Sequence, residues 1–225
     1  MSVIFRIDVD NALFLRDPTE TELGRSIIGS GIDLMVELGF EGFTFKKLAK
    51  DISSTEASIY RYFESKHQFL MYVSAWYWSW LGYRTEVRIN NIKDAKKRLQ
   101  LAIDVMTHSR EDDPATSDID EANLHRIVVS ESPKAYLTSE ITTSHKAMFK
   151  TYGEFCKKIG SIILEINPRY KYPQALVASL ITTTHKQLYL SEKLGSFNEI
   201  KGTKNTVPAK VAEFVESIAF NTIKA

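Results

Sequence analysis

Between Gly39 and Lys66 the chain reads GFEGFTFKKLAKDISSTEASIYRYFESK, a stretch crowded with hydroxyl, phenol and basic side chains. Such groups bind duplex nucleic acid: hydroxyls, cations and helix-starting N–H groups take phosphate oxygens, and side chains in a groove read base edges. The apolar residues between them set the geometry. Phe45, Leu48, Ala49 and Ile52 repeat at i, i+3, i+4, i+7, and Ile59 with Phe63 at i, i+4, so two short amphipathic helices flank a polar turn. Two helices joined by three or four residues form a helix-turn-helix, whose second helix enters the major groove.

Each polar residue then has an expected role. Thr44 caps the first of the two helices and offers a phosphate its hydroxyl and N–H, with Lys46 and Lys47 on the exposed side. Thr55 starts the recognition helix, and Glu56, Ala57 and Ser58 form its first turn. Ala57 permits close approach and contact with a thymine methyl, whereas Ser58 both donates and accepts and so discriminates poorly. Glu56 has two readings, an acceptor for a cytosine amino group or an acid favouring its own helix N-terminus. Arg61 is the strongest candidate for guanine or phosphate, since a guanidinium pairs bidentately with either. A solvated helix face is the competing reading for Arg61, as it is for Tyr60, Tyr62 and Lys66.

From Ile27 to Leu70 the chain resembles the N-terminal domain of the TetR family of bacterial repressors. The resemblance is carried by Ile27, Ile28, Ile32, Leu34 and Met35, by Gly39-Phe40, Thr44 and Ala49, and by Ile59-Tyr60-Arg61-Tyr62-Phe63 followed by Ser65-Lys66. It implies phosphate contacts from Tyr60, Tyr62 and Lys66. Two positions depart from the family pattern, Ser53 for the turn glycine and Ser54 for the following valine. Serine tolerates a positive φ less well than glycine, so the angle between the two helices is open to change.

The surrounding elements read as helices. Thr19-x-x-Glu22 after Pro18 forms a capping box opening a helix that runs to Leu38 and stops at Gly39, and Ser65-x-x-Gln68 opens a fourth helix through Trp76, Trp78 and Trp80. Gly31 marks close packing against the reading helices. Further helices are expected at about 94–109, 121–131, 134–166, 173–194 and 207–223, punctuated by Pro133, Pro168, Pro173 and Pro208. Residues 3–7 and 12–16, two mostly apolar runs around Asp8-Val9-Asp10-Asn11, read as a small β-hairpin, which either brings Arg6 or Arg16 to DNA or covers the helical domain. The expected fold is all-α in three parts: an N-terminal arm 1–18, a helix-turn-helix domain 19–66 and a helical effector-binding and dimerisation domain 67–225.

Bulk composition narrows the function. With 225 residues and 44 % hydrophobic content the chain buries a sizeable core, and its net charge of +1 leaves DNA affinity to local chemistry. Residues 44–67 hold Lys46, Lys47, Lys50, Arg61 and Lys66 against Asp51, Glu56 and Glu64, a net +2. That suits recognition of a few sites better than coating of DNA. A single cysteine, Cys156, excludes an internal disulfide and a Cys-based metal framework, and the N-terminal stretch lacks a basic n-region, which together suggest the cytoplasm. No apolar run reaches a membrane span. The acidic stretch Arg110–Glu121 reads as a solvated loop without calcium-loop spacing, and the five histidines show no ligand spacing, so neither metal nor cofactor is expected.

The resemblance further implies a homodimer and a small-molecule effector. Apolar faces at Val207, Val211, Phe214, Val215 and Ile218, and at Leu176, Leu180, Ile181, Thr184 and Leu188, serve either a four-helix dimer interface through 173–194 and 207–223 or an intrachain core. Trp76, Trp80, Tyr83, Met106, Met148, Phe149, Tyr152, His185 and Tyr189 suit an apolar or aromatic effector, and core packing explains them equally well. The partners expected are therefore a palindromic double-stranded operator, an effector and a second copy, with no membrane. An enzyme is disfavoured by the lack of a phosphate loop, GxSxG or HExxH motif. A TetR-shaped ligand-binding or adaptor protein without specific DNA binding is the other alternative.

Overall fold

The computed structural model describes residues 7–108, 119–131, 141–194, 199–203 and 205–224. Among the described residues every regular element is helical: α1 Glu22–Gly42, α2 Phe45–Asp51, α3 Glu56–Tyr60, α4 Lys66–Ile89, α5 Ala95–Thr107, α6 Glu121–Ser130, α7 Thr143–Ile166, α8 Pro173–Lys193 and α9 Val207–Lys224. The expected all-α class is the observed one. The chain divides into two compact units, Met1–Trp80 with Arg110–Tyr152, and Leu81–Ser109 with Gly153–Ala225.

In the first unit α1 is the backbone of the packing. Ile27, Ile28, Gly31, Ile32 and Met35 line its buried stripe, and Gly39 at φ +68° ends the regular helix, as its position before Phe40 suggests. A side chain at Gly31 would meet the Phe69 ring at 2.5 Å, so the close packing is against α4 and not against the reading helices as expected. Phe43, Phe63 and Phe69, all fully buried, form the aromatic centre, with Phe69 stacked on Phe43 at 5.5 Å and edge-on to Phe63 at 5.2 Å. Burying each ring is worth about 1.5–3 kcal/mol, which fixes α1 and α4 around the short helices that could not fold alone.

The N-terminal arm corrects two expectations. No strand occurs at 12–16; the Asp10 carboxylate accepts the Ala12 N–H at 3.0 Å and turns Asn11–Leu13 into a 3-10 turn. Leu13 is then buried, and Leu15 N–H donates at 2.8 Å to the Tyr62 carbonyl, so the donor a hairpin would need goes to the helical domain. Residues 3–6 of the expected hairpin lie outside the described residues. Thr19 does not cap α1 either: Asp17 captures its N–H at 2.8 Å and its hydroxyl at 2.6 Å in a second 3-10 turn, Pro18–Glu20. Thr21 is the cap, accepting the Gly24 N–H at 3.0 Å.

α6 belongs to this first unit because it packs on α1: Asn123 donates to the Asp33 carboxylate at 2.9 Å, and the Glu131 carboxylate accepts the Phe40 N–H at 3.2 Å. Glu121, expected in the solvated loop, is the first residue of α6 and buried, while 110–118 lie outside the described residues. The helix expected from 134 is observed from Thr143, residues 134–140 again being outside.

The second unit is built on α5, α8 and α9. Leu99, Ala102, Ile103 and Met106 pack with Leu176, Leu180, Ile181, Thr184 and Leu188, and with Val207, Val211, Val215 and Ala219. Both faces offered for dimerisation are therefore largely consumed inside one chain: all five α8 residues are buried, as are Val207, Val211 and Val215, and only Phe214 stands out at 40 % exposure. Periodicity marks an apolar face without saying whether its partner is the same chain.

Candidate nucleic-acid interface

Helices α2 and α3 and their turn form the element expected at 44–62. Thr44 caps α2 by accepting the Lys47 N–H at 3.2 Å, and Thr55 caps α3 by accepting the Ser58 N–H at 3.2 Å. Phe45, Leu48, Ala49 and Ile59 are buried beneath, which turns Thr44, Lys46, Lys47, Lys50, Thr55, Glu56, Ala57, Tyr60 and Arg61 outward. Between the helices Ser53 adopts φ +51°, the left-handed region its replacement of glycine foreshadows. Ser54 N–H donates to the Ala49 carbonyl at 2.8 Å and closes the α2 end.

The cations of this element fall into two groups. Lys47 donates to the Gly42 carbonyl at 2.8 Å, and Lys66 donates to the Phe40 carbonyl at 2.9 Å while lying over the Phe40 ring at 4.5 Å. Both hold the corner that follows Gly39, leaving part of their donor capacity for a phosphate. Lys46, Lys50 and Arg61 are exposed and make no ion pair among the described residues. Lys50 is not among the expected contacts, although its place in the last turn of a short amphipathic helix puts it on the outward face.

The two phenols part company. Tyr60 is 47 % exposed, its ring steadied edge-on by Phe45 at 5.1 Å, and its hydroxyl has no partner among the described residues. Tyr62, expected beside it, is 3 % exposed and its hydroxyl shares a 2.8 Å hydrogen bond with Thr21. Residues two apart on a helical path point about 160° away from each other, so only one of the pair can face a ligand. Tyr62 instead pins the arm, and Arg16 lies over its ring at 5.6 Å, exposed and adjacent to the reading element.

At the foot of α4 the His67 ring packs edge-on to Phe40 at 4.8 Å. Partial burial, then the neighbouring Lys66 charge, then His145 hold its pKa below the ordinary 6.5. The cap of α4 is as expected from Ser65, whose hydroxyl accepts the Gln68 N–H at 3.2 Å, but Gln68 returns its own acceptor to Glu64 N–H at 2.7 Å, not to Ser65.

The residues expected around an effector are distributed over both units. In the first, Trp76 stacks on Trp80 at 6.3 Å, Met148 is fully buried, Phe149 is 38 % exposed and Tyr152 packs edge-on to Trp78 at 4.9 Å. In the second, Met106 is buried in the core, Tyr83 and His185 are half-buried and Tyr189 is 40 % exposed. A buried polar pair stands outside the expected set: the Tyr77 hydroxyl meets His125 Nδ1 at 2.9 Å, both side chains fully enclosed. His125 lies four residues after buried Glu121 on the apolar face of α6, which is the signal that would have found it.

The geometry agrees with the comparisons. Residues 27–73 match the family model described as bacterial regulatory proteins, tetR family, the same segment that carries the resemblance in the sequence. The transcriptional regulator FadR from Bacillus subtilis in complex with stearoyl-CoA is similar with a TM-score of 0.62 at 17% identity, covering 86% of this chain and 96% of that one. AibR in complex with isovaleryl coenzyme A and operator DNA is similar with a TM-score of 0.61 at 12% identity, covering 86% and 96%. The TetR family transcriptional regulator PfmR from Thermus thermophilus gives a TM-score of 0.56 at 13% identity, covering 88% and 97%. At such identities these likenesses speak for a shared fold. Comparison with curated protein sequences finds no match.

Proposed function

We propose that this protein is a TetR-type transcriptional regulator, a repressor that binds a palindromic operator and is released from it by a small apolar or aromatic effector. The observation that carries this reading is the outward face of α2 and α3, with two side-chain-capped helix starts beside exposed Tyr60 and Arg61 and with Lys46, Lys50 and Arg61 uncommitted. The match over 27–73 supports it, and the FadR and AibR complexes, with stearoyl-CoA and isovaleryl coenzyme A, support an acyl thioester among the effectors worth testing. We place the contacts on Thr44, Lys46, Lys47, Lys50, Thr55, Glu56, Ala57, Ser58, Tyr60, Arg61 and Lys66, and assign Tyr62 to support them.

In this reading residues 19–66 are the reading head and 67–225 the effector and dimerisation part, working in the cytoplasm. Dimerisation uses the outward faces of α8 and α9, around Ser179, Thr182, Tyr189, Phe214 and Ser217, because their inward faces are already packed. A two-fold axis then sets two reading helices one DNA turn apart, or a multiple of it. An effector that prefers another spacing of the heads weakens operator binding by its differential affinity for the two states. None of the described helices is long and apolar enough to cross a membrane.

The test is an electrophoretic shift with the DNA upstream of the protein's own gene, followed by footprinting. Arg61→Ala is expected to weaken the shift by about 1–3 kcal/mol if the contact is to guanine, and Tyr60→Phe by less. Glu56, Ser53 and the low net charge favour a ligand-binding adaptor as second reading; absence of any protected palindrome would establish it over the repressor.

A further inference from the structure

Glu56 is the first residue of α3, exposed, and its carboxylate has no hydrogen bond or ion pair among the described residues. The hydrogen-bonding cap of α3 is Thr55 and not Glu56: Thr55 Oγ1 accepts the Ser58 N–H at 3.2 Å and shares a 2.8 Å hydrogen bond with the Ser58 hydroxyl, while Glu56 lies in the first turn, where the helix end favours an acid without fixing its side chain. Neither Lys46 nor Arg61 neutralises it. A carboxylate without an ion pair on a face otherwise suited to a polyanion is repelled by the phosphates, and that repulsion is best offset where the carboxylate meets a donor.

The major groove offers an acceptor-only side chain just two donors, the exocyclic amines of cytosine and adenine. Adenine carries the N7 acceptor beside its amine, and that lone pair opposes a carboxylate. Cytosine shows the amine alone. Guanine and thymine present acceptors or a methyl and reject the charge. Resting on the function proposed above, we propose that Glu56 is a specificity-determining residue that requires a C·G pair at one fixed position of each operator half-site. Ala57, beside it and also exposed, leaves room for the close approach this needs.

The experiment selects binding sites for the full chain from a pool of randomised duplex DNA, in parallel for wild type, Glu56→Ala and Glu56→Gln. Wild type should return a half-site with a nearly invariant cytosine at one position. Glu56→Ala should flatten that position alone and bind the wild-type site roughly five- to a hundredfold more weakly than wild type does, the discrimination one good base contact supplies. Glu56→Gln should move the preference there to adenine, since an amide pairs with its N6 and N7 together. Thermal midpoints equal to wild type would show both variants folded, as expected of an exposed position without partners. Identical half-sites for wild type and Glu56→Ala would overturn the inference while leaving the regulator reading intact; a wild-type protein that enriches no sequence would remove both.

Discussion

Tyr60, Arg61 and Tyr62 are consecutive, yet they serve two different ends. Tyr60 and Arg61 face outward, whereas Tyr62 is locked through its hydroxyl to Thr21 and through its carbonyl to Leu15. Nothing in the composition of the triplet tells them apart; the 100° step between successive helical residues does, once Ile59 and Phe63 are known to point inward. His67 supplies a prediction at the same scale. Its folded-state pKa is depressed, so the folded chain prefers the neutral ring, and the unfolded chain binds the proton more readily. Stability is therefore complete above the ordinary value of 6.5 and falls as the pH drops through it toward the folded-state value. An NMR titration should place the His67 ring below 6.5, and thermal midpoints measured from about pH 7.5 to 5.5 should fall less in His67→Phe than in wild type.

At the scale of elements, the turn between α2 and α3 is where this chain departs from the pattern it resembles. Ser53 at φ +51° holds a conformation that costs an L-residue about 1–2 kcal/mol and glycine nothing. Ser53→Gly should raise stability by about 1 kcal/mol in urea unfolding, the added freedom of glycine in the unfolded chain offsetting part of the relieved strain. The same scale explains the arm. Two apolar runs around a polar centre satisfy a hairpin pattern, but short-range carboxylate bonds from Asp10 and Asp17 commit the backbone to 3-10 turns. It explains α6 as well, whose attachment to α1 through the Asn123–Asp33 side chains and from the Phe40 N–H to the Glu131 carboxylate joins groups about ninety residues apart that no local pattern relates.

For the whole molecule, the charge of +1 would make the proposed DNA binding depend on a few local cations, and two of the five in residues 44–67 are partly committed to backbone carbonyls. In the proposed dimer, the interface for a second copy is taken from what the single chain leaves uncovered. Phe214 is an aromatic residue of α9 exposed beside Glu213 and Ser217. A charge there should cost an interface far more than a fold. Phe214→Glu should shift the protein from dimer to monomer in sedimentation at micromolar concentration, leave helical content unchanged and weaken operator binding at least roughly tenfold, whereas unchanged sedimentation would place the interface elsewhere.

The helix-turn-helix was legible in the linear chain because it is local: its helices, caps and turn lie within about two dozen residues, and i, i+3, i+4 spacing with Ser/Thr caps encodes them directly. The all-α class was legible for the same reason. Tertiary structure alone decided which of two neighbouring tyrosines faces out, which lysines are free, that Thr21 and not Thr19 caps α1, and that the apolar faces of α8 and α9 close on their own chain. Each of those depends on groups distant in sequence competing for one donor, one acceptor or one apolar surface, and that competition is resolved only when the chain is folded.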